Sequence, residues 1–127
     1  MAPTVQPEAM TAAAEAAGAI NMVGFNYIRT PASQFARQLV QSGAIGRVVW
    51  FRGEHTEDFD ADARKPASWR NFGIANGTMG DLAPHMVNAA LALIGPIHSL
   101  VADVETVHPT RPGPDGPVAV TNDDQAQ

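Results

Sequence analysis

Residues 77–95 read Gly-Thr-Met-Gly-Asp-Leu-Ala-Pro-His-Met-Val-Asn-Ala-Ala-Leu-Ala-Leu-Ile-Gly, with Pro96 next. Met86, Ala89, Ala90 and Leu93 recur at helical spacing, which predicts a helix with one apolar face. Pro84 is tolerated only near a helix's first turn, so the helix begins shortly before it. Gly95-Pro96 stops it. Asp81 and His85 are four residues apart, so a helix stacks them on one face near its N-terminus. A carboxylate that orients an imidazole is a standard arrangement for acid/base chemistry. A purely structural reading stands beside it. Asp81 caps the helix, or Thr78 caps it with Asp81 completing a capping box, and His85 is a satisfied, half-buried histidine.

Working outward, Pro7 to Ala17 reads as a helix, with Met10, Ala13, Ala14 and Ala17 in register and Gly18 just past its end. The apolar run Ile20–Phe25 is expected to be a buried strand. Pro31–Ser42 reads as a second helix, with Phe35, Leu39 and Val40 on its apolar face and Gly43 ending it. Gly46–Thr56 is expected to be a strand, because Val48, Val49, Trp50 and Phe51 favour extended backbone. Glu57–Gly77 is a long connection of the kind that carries function. Ile97–Val107 is expected to be another strand, with Leu100, Ala102, Val104 and Thr106 alternating. The tail from His108 holds four of the ten prolines and is expected to be a loop, with Thr121-Asn122-Asp123-Asp124 hinting at a new element. The order helix–strand, then helix–strand–helix–strand, places the chain in the α/β class. Two or three strands cannot form a well-covered sheet, so the chain is expected to be open at both ends.

Composition narrows the function. In 127 residues there is no cysteine, which removes disulfides, zinc-thiolate sites and thiol nucleophiles. A net charge of −5 with only 8 basic residues argues against nucleic acid as a partner. No segment approaches the roughly 20 apolar residues of a membrane span. The first basic residue is Arg29, which argues against a signal peptide and for a cytoplasmic protein. No metal site is expected: an EF-hand-like loop starting at Asp58 would need Gly at position 63 and Glu at 69, and the chain has Ala63 and Trp69. The run from His55 to Asp62 therefore reads as a solvated acidic loop. Trp69-Arg70 pairs a flat aromatic face with a fork of donors, which suits a cofactor ring, a sugar or a phosphate, or else a tryptophan half-buried against the sheet. Asn26-Tyr27-Ile28-Arg29 follows the first expected strand. Strand C-terminal ends are where open α/β sheets bind ligands, and a plain polar turn is the structural alternative.

Taken together and in this order, several of these pieces resemble the glucose-fructose oxidoreductase/inositol dehydrogenase (Gfo/Idh/MocA) family. They are Met22-Val23-Gly24-Phe25-Asn26-Tyr27, the helix from Pro31, Gly43-Ala44-Ile45-Gly46-Arg47-Val48, Phe51-Arg52-Gly53, Trp69-Arg70, and Gly80-Asp81-Leu82-Ala83-Pro84-His85. The resemblance covers roughly residues 7–107. It implies an α+β substrate domain with an open, mostly antiparallel sheet flanked by helices. It assigns residues 1–26 to the last helix and strand of a Rossmann domain and 27–127 to an incomplete C-terminal domain.

The resemblance also implies an oxidoreductase that uses NAD or NADP on sugars, polyols or related small molecules, as a homo-oligomer through the sheet. His85 would move the hydroxyl proton and Asp81 would orient it. Trp69 and Arg70 would lie near the cofactor, and Tyr27 and Arg29 near the substrate at the domain junction. Ile28 intervenes where the family commonly has Arg directly after that Tyr. The family's Gly-rich phosphate loop and its Glu-Lys-Pro lysine have no counterpart: no G-x-G-x-x-G occurs, and the single lysine, Lys65, lies in the loop before Trp69. The expectation is a fragment, inactive alone. The alternative is a non-catalytic binding or oligomerisation module that completes a separate Rossmann chain.

Overall fold

The computed structural model of the chain describes residues 7–127. Three α-helices form where local signals specify them: α1 (Pro7–Ala16), α2 (Pro31–Gln41) and α3 (Ala83–Leu93). α2 shows why. The side chain of Thr30 accepts the backbone N–H of Ser33, Pro31 sits at the first helical position, and Gly43 follows the helix with φ of +74°. Short turns carry most of the remaining shape. Three are 3-10 turns at Tyr27–Arg29, Trp69–Asn71 and Ile74–Asn76, and a π-helical turn, Thr78–Leu82, leads directly into α3.

The strands depart from expectation. Among the described residues, Ile20–Phe25 and Gly46–Thr56 carry no strand ladder, and within Ile97–Val107 only β1 (Val104–Glu105) does. A strand is completed only by hydrogen bonds to another strand, and these stretches find no such partner among the described residues. Conversely, the proline-rich tail is not a loop. β2 (Thr110–Gly113) and β3 (Gly116–Ala119) form an antiparallel hairpin with Pro112 opposite Pro117. Its two-residue turn, Pro114-Asp115, closes on Gly116 at φ +128°. β4 (Gln125–Ala126) pairs antiparallel with β1. In place of one open sheet, the described residues form two separate two-stranded antiparallel sheets.

Packing is correspondingly open. The Tyr27–Arg29 turn, α2 and α3 pack together, and Phe25, Ile28, Leu39, Met86 and Leu93 are half-buried in that half of the chain. No apolar side chain among the described residues is fully buried, whereas Trp50 is 77% and Val101 93% exposed. The accessible surface is 9752 Å². A closed monomer of 13.4 kDa would expose about 6,500 Å². Large apolar side chains such as Ile20, Trp50, Leu100 and Val101 are among the exposed groups, which marks surface suited to cover by further protein. No helix among the described residues is long and apolar enough to cross a membrane.

Candidate functional site

The π turn is set by contacts from distant segments. Ala83 donates its N–H to Thr78 O, the i to i−5 bond that defines the wider turn, and Asp81 N–H donates to Gly77 O at 2.7 Å. The turn has no side-chain cap of its own, so the expected capping box of Thr78 and Asp81 does not form. Its free donors go to Asp123 instead: Met79 N–H to Oδ2 at 2.6 Å and Thr78 N–H to the backbone O at 3.1 Å. Asn122, 7% exposed, donates from Nδ2 to Arg70 O, and Thr121 N–H donates to Asn71 O at 3.0 Å. Residues 121–123 thus tie the Trp69–Asn71 turn to the π turn.

Asp81 and His85 consequently part company. Asp81 lies in the π turn and His85 in α3, so the uniform helix that would stack them is interrupted. Arg70 Nε donates to Asp81 Oδ2 at 3.1 Å, and no hydrogen bond joins Asp81 to His85 among the described residues. In this structure the Asp81 carboxylate is engaged by Arg70 and not by His85. The Arg70 guanidinium is itself held by two rings, 4.2 Å from the Trp69 centroid and 5.1 Å from that of Phe59. Ser68 caps this turn, with Asn71 returning the bond in a capping box. The pair Arg70–Asp81 lines a cavity of about 380 Å³ with Glu57, Asp60, His108 and Asp123. Asp60 accepts from Asn71 Nδ2 at 3.0 Å.

His85 faces a different set of groups. Its ring lies edge-on to Tyr27 at 4.7 Å and to Phe25 at 5.8 Å, with His55 at 5.9 Å. Its Nδ1 is buried and without a hydrogen-bond partner. Tyr27, 44% exposed, also meets His55 edge-on at 5.5 Å. His55 Nε2 is 3.1 Å from Glu57 Oε1, and the side chain of His55 is only 12% exposed. Arg29 is exposed in the Tyr27 turn and belongs to neither cluster.

So the structure joins Trp69, Arg70 and Asp81 on one side and Tyr27 with His85 on the other. Glu57 stands between, bonded to His55 and lining the Arg70–Asp81 cavity. Sequence analysis places His55 and Glu57 in a solvated acidic loop, whereas the structure covers the His55 side chain and bonds it to Glu57. The available signal was a histidine with a carboxylate two residues on, a spacing that shares a face in extended chain. Elsewhere in the acidic stretch, Arg64 donates to Asp62 from its side chain and its backbone and holds that carboxyl below the usual range. Arg111, 1% exposed, donates to the carbonyls of Asp60 and Asp62 at 2.5 and 2.9 Å.

Comparison with known proteins places this geometry. Residues 33–127 match the family model described as GFO/IDH/MocA C-terminal domain. Levoglucosan dehydrogenase of Pseudarthrobacter phenanthrenivorans is 36% identical, over 93% of this chain and 35% of that protein. D-apiose dehydrogenase of Paraburkholderia graminis is 33% identical, over 84% of this chain and 28% of that one. A solved structure of levoglucosan dehydrogenase in complex with NADH and L-sorbose superposes with a TM-score of 0.83 at 37% identity, covering 94% of this chain and 32% of that one. The chain spans about a third of the length of these relatives.

Proposed function

Because the chain belongs to the GFO/IDH/MocA C-terminal domain family, we propose that it is part of an NAD(P)-dependent oxidoreductase of sugars, polyols or related hydroxy compounds. Its relatives carry the names of sugar dehydrogenases, and one is solved with NADH. In this reading residues 1–26, of which 1–6 lie outside the described residues, end a Rossmann domain, and 27–127 begin the substrate domain of a cytoplasmic homo-oligomer. The match of residues 33–127 to a C-terminal domain supports the second part of that division.

The observation that carries the reading is His85: a half-buried imidazole at the start of α3, with an orphaned ring nitrogen, edge-on to a half-exposed tyrosine. That nitrogen fits a proton-exchanging role beside a flat cofactor ring. His85 takes the substrate hydroxyl proton at a ring nitrogen. Asp81, fixed by Arg70 at the cavity wall, accepts hydrogen bonds from substrate hydroxyls, and Tyr27 and Arg29 border the substrate at the domain junction. Trp69 and Arg70 would hold the nicotinamide end of the dinucleotide, which when bound supplies the hydride acceptor. The dinucleotide phosphates have no Gly-rich loop in this sequence to receive them. The test is His85→Ala in the whole enzyme, followed by NAD(P)H absorbance with a panel of sugars. A loss of kcat of about 10²-fold or more is expected, and near-normal turnover would refute the role. Tight NADH binding by the isolated chain would refute the division of domains.

The uncovered apolar surface favours a second reading, a non-catalytic module that completes a separate Rossmann chain. Stable, monodisperse behaviour of the chain purified alone would support it over the first.

A further inference from the structure

We propose that His55, with Glu57, is the route by which His85 exchanges its proton with solvent, an inference that rests on the proton-acceptor reading of His85 above. A base that takes a proton in every turnover must also lose one. The rings against His85 are Phe25, Tyr27 and His55, and of these only Tyr27 and His55 carry a transferable proton. Charged groups nearby are otherwise engaged or turned outward. Asp81 is paired with Arg70, while Arg29 of the Tyr27 turn and Arg37 of α2 are exposed.

His55 is nearly covered, yet its Nε2 bonds to Glu57, whose side chain is 43% exposed and lines the cavity. Two sets of proton-carrying groups thus lead outward from His85 among the described residues: the half-exposed Tyr27 itself, and the line His85, His55, Glu57, solvent. The second is built on an imidazole, the side chain suited to taking and releasing protons near neutral pH. Tyr27 packs edge-on against both imidazoles, whose centroids stand 5.9 Å apart, a separation within reach of one bridging water.

The step balances. As the substrate C–H electron pair leaves as hydride to oxidised nicotinamide, the O–H bond breaks and an N–H bond forms on His85. That N–H then breaks and its proton reaches Nδ1 of His55, while the Nε2 proton of His55 passes to Glu57 and on to water. Both imidazoles return to neutral, and the net products are a carbonyl compound, reduced nicotinamide and one solvated proton. The Tyr27 contact gives His55 a packing role as well, so His55→Phe is the informative variant: it keeps a ring of similar shape and deletes the proton carrier.

The experiment uses the whole enzyme. His55→Phe and Glu57→Leu are each expected to lower kcat about tenfold at low buffer concentration. Added free imidazole should restore the His55→Phe variant, because a mobile base replaces the missing carrier. A purely structural role would not respond to imidazole. A second readout needs no cofactor: ¹⁵N-histidine spectra should show His55 as the Nε2–H tautomer, with that preference lost in Glu57→Leu. Unchanged kcat in both variants, failure of imidazole to rescue, or an Nδ1–H tautomer at His55 would overturn the proposal. Active His85→Ala protein would instead overturn the proton-acceptor reading, so the two failures are distinct.

Discussion

Replacing Gly80 by alanine tests whether the π turn is held as described. An ideal Cβ on Gly80 would sit 2.5 Å from the carbonyl carbon of Ala75 and 2.9 Å from its Cα. Ordinary carbon–carbon contact begins near ~3.5 Å, so the two backbones must part by about 1 Å. Neither contact is the free end of a flexible side chain, so the cost falls toward the upper part of the ~1–3 kcal/mol range for overpacking. Alanine recovers about 0.5–1 kcal/mol over glycine in helical backbone. The net destabilisation expected is about 2 kcal/mol, or a fall in Tm of about 8 °C for a domain of this size. Thermal unfolding followed by far-UV circular dichroism measures it. Gly24→Ala is the control: its Cβ would meet nothing within 4 Å, and its effect should stay within about 0.5 kcal/mol. If Gly80→Ala melts at or above the parent temperature, or Gly24→Ala falls equally far, the close approach of the Ala75 and Gly80 backbones is wrong.

Other expectations follow from the contacts around this turn. A double-mutant cycle of Arg70→Leu and Asp81→Asn should give a coupling of about 1 kcal/mol, since both side chains are about a third exposed and solvent screens the pair. Arg111→Met removes both carbonyl contacts to the acidic loop and should destabilise by about 2 kcal/mol. The same change should speed tryptic cleavage after Arg64, read by mass spectrometry; Lys65 precedes Pro66 and is not a tryptic site. The carboxyl of Asp62 is depressed by Arg64, so its contribution is present above the ordinary carboxylate range and lost as pH falls through the depressed value. Arg64→Ala should therefore raise the Asp62 titration midpoint in a carboxyl NMR experiment, and an unchanged midpoint would show that the pair does not persist in solution.

Legibility from sequence followed where each element's hydrogen bonds lie. Helices close their bonds within their own segment, so Thr30-Pro31 with Gly43, and Pro84 with Gly95, were enough to bound α2 and α3 closely. The apolar runs at 20–25 and 46–56 encode a preference for extended backbone but name no partner, and the expected ladders are absent there. Prolines misdirected the reading of the tail, although Pro114-Asp115-Gly116 is itself a hairpin-turn signal. At the site, the spacing of Asp81 and His85 was visible, but the partner of each was not. Arg70 lies eleven residues upstream of Asp81 and His55 thirty upstream of His85, and spacing on one helix carries no information about either. The antiparallel character of the pairing and the family were both legible, because ordered short motifs sum over the chain.

The bonds from Asn122 and Asp123 to Arg70 and to the π turn have a consequence for synthesis. α2 and α3 can wind as soon as their own residues leave the ribosome, because their signals are local. The turn that carries Asp81 receives its capping donors' partner only when Asp123 emerges, more than forty residues after Gly77. Until then the nascent chain holds α3 without its fixed N-terminal lead-in, and Arg70 and Asp81 have no common frame. A translational pause that leaves the Gly77 region emerged and Asp123 still inside the ribosome would lengthen that exposed interval, whereas a pause after Asp123 has emerged would not.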